Sequence, residues 1–394
     1  MMATSPVSAR VRRVRDVSRR NEVPAHADLI ELSKGEPDLD TPRPVVEAMT
    51  GAIAAGWTHY ATVKGDPELR EALVTDANRR HGTSYSAADC VITHGGAAAI
   101  TATVLALVDH GDRVVTADPS YSLYRDAVAL AGGELVEVEI RPGDESAGLR
   151  RLAQRAIAED ATMIMLCNPV NPSGATYDRT ELESLAATLT GTSIRVFVDE
   201  AYEAYVYEDG AFATALDVPS LIERLIFCQT FSKTYAMTGW RIGYVVSSDA
   251  QALQAILDVH KTFNGPLNTA VQRAAIEAIR TRDDVIPAML AEYAQRRAYV
   301  MDRLSAVPGV RFVAPVGAFY VFFEYDLDIG SAELRDLLVR EHGIALRPGS
   351  EFGDAGEHHL RLSYTYSMDT LAAGIDRLEK AFTELAGMRA VTAP

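Results

Sequence analysis

Leu225-Ile226-Phe227-Cys228-Gln229-Thr230-Phe231-Ser232-Lys233, followed shortly by Gly239-Trp240-Arg241-Ile242-Gly243, runs an apolar segment into a hydroxyl, a lysine and an arginine. An unbroken apolar run of this length is the pattern of a strand buried on both faces. The pattern recurs on either side of it. Cys90-Val91-Ile92-Thr93 precedes an alanine-rich helical stretch, Arg113-Val114-Val115-Thr116 precedes Asp118-Pro119, and Thr162-Met163-Ile164-Met165-Leu166 precedes Asn168-Pro169. Ile194-Arg195-Val196-Phe197-Val198 and Gly243-Tyr244-Val245-Val246 complete the series. Apolar strands alternating with helices predict an α/β fold, a mostly parallel sheet with helices on both faces.

Ligands of such sheets bind beyond the carboxyl ends of the strands. Polar residues gather at those ends here: His94-Gly95-Gly96, Asn168, Asp199 and Thr230. A lysine at this rim, with Thr230 before it and Arg241 after it, suits an aldehyde cofactor that carries a phosphate. The amine of Lys233 forms a Schiff base, and the hydroxyl and guanidinium take phosphate oxygens. That chemistry is that of pyridoxal 5′-phosphate, PLP. The plain alternative is a solvated lysine beside a turn. Asp199 suits the pyridine nitrogen, which a carboxylate keeps protonated, and Tyr202 is placed to reach the ring's phenolic oxygen. Taken alone, Asp199 also reads as a helix cap. The prolines of Asn168-Pro169-Val170-Asn171-Pro172-Ser173-Gly174 fix a turn that presents Asn171 as a rigid amide. The small residues Gly95, Gly96 and Ala97 open a helix, where free N–H groups favour an anion.

Composition bounds the rest. The 394 residues are 48% hydrophobic and 23% charged, as in ordinary globular proteins, and suffice for two or three domains. A net charge of −16 argues against nucleic acid as a partner. No apolar run approaches the roughly 20 residues of a membrane span. Cys90, Cys167 and Cys228 sit in strand-like runs and read as reduced core residues of a cytoplasmic protein. No metal site is expected. Arg10, Arg12, Arg13, Arg15, Arg19 and Arg20, opposed by Asp16 and Glu22, form the one basic segment. It reads either as a transit peptide or as an N-terminal arm lying on a partner subunit, and the arm is favoured because the fold pattern begins so soon after it. After about residue 280 a charged helix near 283–305 leads to Phe319-Tyr320-Val321-Phe322-Phe323 and His359-Leu360-Arg361-Leu362-Ser363-Tyr364. The expected organisation is an arm over 1–29, a small α+β domain from 30–48 and 281–394, and a large domain over 49–280.

Together these segments resemble the PLP-dependent class I/II aminotransferases of fold type I, the aspartate aminotransferase superfamily. The matches span roughly residues 30 to 385: Gly35-Glu36-Pro37-Asp38, Tyr60 with Gly65 and Leu69-Arg70, Gly95-Gly96, Asn168–Gly174, Asp199–Tyr202, Ser232-Lys233 with Gly239–Gly243, and Arg361–Tyr364. The resemblance implies that Lys233 carries the Schiff base, Asp199 meets the pyridine nitrogen, and Tyr202 and Asn171 meet the phenolic oxygen. It implies that Tyr121 stacks on the cofactor and that Gly96, Ala97, Thr230 and Arg241 hold its phosphate, joined by Tyr60 from the second subunit of a homodimer. Arg361 would bind the substrate α-carboxylate, with Gly35 and Asn171 adding contacts. The implied activity is transfer of the amino group of an L-amino acid to a 2-oxo acid. The alternative is another PLP chemistry on the same scaffold, an elimination, cyclisation or oxidation. A DNA-binding regulator carrying an aminotransferase-like domain is disfavoured by the acidic charge and the short N-terminal segment. One departure stands out: several aspartate-type relatives place a lysine directly after the glycine pair, where this chain has Ala97. That weakens an assignment to acidic donors and leaves Lys64, Asn264 and Asn268 as candidates for other polar contacts.

Overall fold

The computed structural model describes residues 7–19, 23–141 and 144–392. Its strands are Ile30–Glu31 (β1), Cys90–Thr93 (β2), Arg113–Asp118 (β3), Glu134–Glu139 (β4), Met163–Cys167 (β5), Arg195–Asp199 (β6), Leu225–Thr230 (β7), Gly243–Val246 (β8), Val310–Phe312 (β9), Tyr320–Tyr325 (β10), Ile344–Ala345 (β11), Arg347–Pro348 (β12) and His359–Ser363 (β13). Seven of them form one sheet in the order β2-β8-β7-β6-β5-β3-β4. Its pairs are parallel, except that β8 runs antiparallel to both β2 and β7.

β5 and β7 are buried at every position, as a sheet covered on both faces requires. Alternate residues of each strand therefore enter two separate cores. Met163, Met165, Phe197, Ile226 and Val245 face the helices Gly95–Leu107, Leu123–Ala131 and Ala250–Asn264. Ile164, Val196, Val198, Phe227 and Val246 face Pro67–His81, Arg179–Thr188 and Thr269–Arg280. The α/β class read from the apolar runs is the fold observed.

A second, antiparallel sheet has the order β12-β13-β10-β9, with Phe322 opposite Arg361 and Arg347 opposite Arg361 on its other side. Ile30 and Glu31 pair in parallel with Ile344 and Ala345, so the chain start is tied to its last third. The charged helix expected near 283–305 is Arg282–Ser305. Strand ends move by a residue or two from the sequence expectation, the usual uncertainty of fraying ends. β4 is an element the sequence reading did not name. Its Glu-Leu-Val-Glu-Val-Glu pattern is that of an edge strand, whose charges discourage further pairing.

At the N-terminus, Ala9–Val17 is a helix that packs on Leu123–Ala131 of its own chain, and Arg19 pairs with Asp354 at 2.7 Å. Arg20 and Glu22 lie outside the described residues. The three cysteines are buried free thiols on β2, β5 and β7. Among the described residues, no helix is long and apolar enough to cross a membrane.

Candidate active site

The geometry of β7 and β8 brings Lys233 and Arg241 to one edge. β7 ends at Thr230, whose hydroxyl accepts the Ser232 N–H at 3.2 Å and so caps the single helical turn Phe231–Thr234. That turn returns Lys233 over the rim. Because β8 is antiparallel, it begins where β7 ends: Gly243 pairs with Thr230, and the Thr230 hydroxyl donates to the Ile242 carbonyl at 3.1 Å. Arg241 therefore stands at the same rim. Across from it, Gly95 follows β2 with φ +78°, and a Cβ there would lie 2.6 Å from the Arg241 guanidinium. Only glycine permits both the conformation and the approach. The guanidinium thus rests against the first turn of Gly95–Leu107, whose leading N–H groups lack helical acceptors and carry the positive end of the dipole.

A cavity of about 130 Å³ opens on this rim. Gly96, Ala97, Tyr121, Asp199, Tyr202, Thr230, Lys233 and Arg241 line it, with Ile100, Cys167, Ala201 and Ser232. Lys233 Nζ donates to the Gly35 carbonyl at 2.5 Å. Burial lowers its pKa to about 8, against the opposing pull of Glu36. Asp199, at the end of β6, accepts from the Ala201 N–H at 3.1 Å and the Tyr124 hydroxyl at 3.4 Å. Burial raises its carboxyl to about 6 despite those bonds and the nearby Lys233. The site therefore holds an amine that deprotonates more easily than a free lysine and a carboxyl that lacks a full counter-charge.

A second set of contacts leads from this cavity to Arg361. Asn171 donates Nδ2 to the Tyr202 hydroxyl at 3.3 Å and accepts Arg361 Nη1 on Oδ1 at 2.7 Å. Arg361 also donates to the Ser33 carbonyl at 2.6 Å. Its guanidinium lies 4.0 Å from the Tyr320 ring centre and 4.9 Å from that of Phe352. It is 4% exposed, its Nε has no partner, and burial lowers its pKa. A planar cation fixed on two sides and stacked on a third presents its remaining edge to a carboxylate.

Of the cofactor- and substrate-binding residues expected from the resemblance, all but Tyr60 converge here. Gly35 touches Lys233, and Asn171 and Arg361 adjoin the cavity through Tyr202. Tyr60 is 91% exposed and lines a different groove, with Trp57, His59 and Thr269. Lys64 ends on the Ala88 carbonyl at 2.5 Å, Asn264 on the His260 carbonyl at 3.3 Å, and Asn268 caps the helix Thr269–Arg280. Two tyrosines at the site were not anticipated. Tyr124, on the helix Leu123–Ala131, reaches Asp199. Tyr320 meets Tyr202, hydroxyl to hydroxyl, at 3.0 Å. A larger cleft, about 530 Å³ between the β3 and β4 ends and β9 and β10, contains none of these groups.

Residues 27–378 match the family described as aminotransferase class I and II. The chain belongs to that family. It is 33% identical over 357 residues to an aspartate aminotransferase of Pyrococcus horikoshii, with 90% of each chain covered. An aspartate/prephenate aminotransferase of Thermus thermophilus is 34% identical over 357 residues, covering 90% of this chain and 91% of that one. Among solved structures, an aromatic aminotransferase of Pyrococcus horikoshii superposes with a TM-score of 0.87 at 30% identity, over 95% of this chain and 99% of that one. The fold is thus the fold type I of this PLP-dependent family. This aminotransferase moves an amino group between an amino acid and a 2-oxo acid, and elimination, cyclisation or oxidation is not favoured.

Proposed function

We propose that this aminotransferase holds PLP in the 130 Å³ cavity and uses Lys233 as both its covalent tether and the proton carrier of the reaction. The single observation that carries the reading is the convergence of Lys233, Asp199, Tyr202 and the Gly96–Ala97 helix start on one small space. The residues fit the group in charge as well as position. Asp199, with its carboxyl raised to about 6, gains a counter-charge from a protonated ring nitrogen, and the phosphate meets a helix N-terminus backed by Arg241.

Tyr202 and Asn171 supply a hydroxyl and an amide for the phenolic oxygen, Tyr121 a flat face for the ring, and Thr230 a hydroxyl beside the phosphate. When bound, the cofactor supplies a carbon that exchanges nitrogen partners and a ring that accepts the electron pair left on the substrate's Cα. Arg361, held by Asn171 and Ser33, orients the substrate through its α-carboxylate, and the Gly35 backbone adds a contact. Lys233, partly neutral near pH 8, would take the Cα proton as a general base and, as a general acid, deliver it to the carbon that exchanges nitrogen partners.

The working unit in this proposal is a homodimer in which Tyr60 from a second copy reaches the phosphate. Its 91% exposure within its own chain suits that role. We also propose the division into a small α+β unit, 30–48 with 281–394, a large one, 49–280, and a cytoplasmic enzyme. Relatives are named for aspartate, yet the cations near this cavity, Lys233, Arg241 and Arg361, are all assigned to other tasks. With Ala97 after the glycine pair, the proposed donors are amino acids with neutral, aromatic or otherwise polar side chains. Replacing Lys233 by Ala tests the core of the proposal: the visible absorbance of lysine-bound cofactor and nearly all turnover are expected to vanish. Normal turnover in that variant sinks it.

A further inference from the structure

Tyr202 and Tyr320 are buried phenols whose oxygens lie 3.0 Å apart, one at the end of the large sheet and one on β10. Their rings meet edge-on at 5.6 Å between centroids. A phenol oxygen has one proton to give and accepts at most two. The Tyr202 oxygen already accepts from Asn171 Nδ2 at 3.3 Å. If Tyr320 donates as well, both acceptor positions are filled, and the Tyr202 proton is left to point into the cavity it lines.

The order of donation in the pair follows from its surroundings. Arg361 lies 4.0 Å over the Tyr320 ring, so a full positive charge draws electron density from that phenol and makes it the stronger donor. Gly35 leaves the Tyr320 hydroxyl its place, since a Cβ there would stand 1.8 Å from the oxygen. Burial keeps both phenols protonated, with Arg361 opposing the rise at Tyr320. The other titratable groups that face the pair are Cys167 on β5 and Tyr121 in the loop after β3, with Lys233 and Asp199 across the same cavity.

We infer that Tyr320 is a positioning residue of the reaction: its hydroxyl donates to Tyr202 and thereby aims the Tyr202 proton at the phenolic oxygen of the cofactor. The inference rests on the PLP reading above. It links two functions that the residues otherwise serve apart, because Tyr320 also carries Arg361 on its ring face. A donor of this kind does not touch the reacting atoms, and it strengthens the bond that Tyr202 makes by polarising it.

The test uses the cofactor-loaded enzyme and follows its visible band against pH. A hydrogen bond to the phenolic oxygen stabilises the deprotonated site, so losing that bond raises the titration midpoint. Tyr320→Phe, which keeps the ring under Arg361, is expected to raise it by about 0.1 to 0.3 unit, the roughly 10–30% by which one hydrogen bond strengthens the next. Tyr202→Phe is expected to raise it at least as far, and the double variant to match Tyr202→Phe alone. An unmoved midpoint in Tyr320→Phe beside a raised one in Tyr202→Phe overturns the inference, as does full additivity of the two shifts. If neither variant moves it, the placement of Tyr202 against the cofactor fails first and the role of Tyr320 falls with it.

Discussion

Replacing Arg361 by Lys conserves charge and discards geometry, so it separates what the guanidinium does from what any cation would do. In the free enzyme the guanidinium spends one bond on Asn171 and one on the Ser33 carbonyl, with its faces against Tyr320 and Phe352. An ammonium has three donors on one atom and cannot satisfy those two acceptors while offering a parallel pair to a carboxylate. The substrate therefore loses at least one charge-assisted bond, about 1.5–3 kcal/mol, or roughly a ten- to more than hundredfold fall in affinity. Cofactor binding is expected to survive, because Arg361 is not among the groups proposed to hold the phosphate. The assay is single-turnover mixing of the loaded variant with a neutral amino acid, reading the rate of cofactor bleaching against donor concentration. An apparent donor affinity equal to that of the wild type would mean that another cation receives the α-carboxylate, and the argument from Arg361 would be wrong.

Two further outcomes follow from Tyr60 and Ala97. A mixed dimer of Tyr60→Phe and Lys233→Ala chains is expected to hold one fully active site, because the chain that keeps Lys233 would receive an intact Tyr60 from its neighbour; a mixed dimer whose Lys-bearing site binds cofactor as weakly as the Tyr60→Phe homodimer refutes the crossing. Aspartate is expected to be a poorer donor than neutral or aromatic amino acids by at least about tenfold, since a distal carboxylate without a partner costs several kcal/mol in a closing site. Single-turnover rates across a donor panel measure this, and aspartate reacting fastest would defeat the inference from Ala97.

The strands and the rim were legible because buried parallel strands are written as short apolar runs whose polar residues stand at one end. Asp199 follows such a run directly and Lys233 follows one after a short turn, so the sheet rule places both at the rim. Arg241 was legible by motif, and the reason for its position is the antiparallel course of β8, which the sequence does not state. Tyr320 was hidden by its neighbours. In Phe319-Tyr320-Val321-Phe322-Phe323 both faces are apolar, so no period-two alternation marks which aromatic looks into a site and which into a core. Tyr60 differs again: its role comes from the resemblance, and its own chain offers it nothing to touch in the cavity.

The electrostatics of the site argue in one direction. Lys233, Asp199 and Arg361 are each pushed by burial toward their neutral forms, and within this chain none has enough opposite charge to cancel the push. A structure evolved only for stability would place such groups in closed pairs, as it does with Glu203, which Arg282 and Arg80 hold well ionised despite its burial. Under the proposed function, Arg361 receives an anion and Asp199 a cation, which agrees with the direction of both shifts. An α-carboxylate and a protonated pyridine ring meet both demands at once, which is why the charge pattern narrows the reading more than any single motif does.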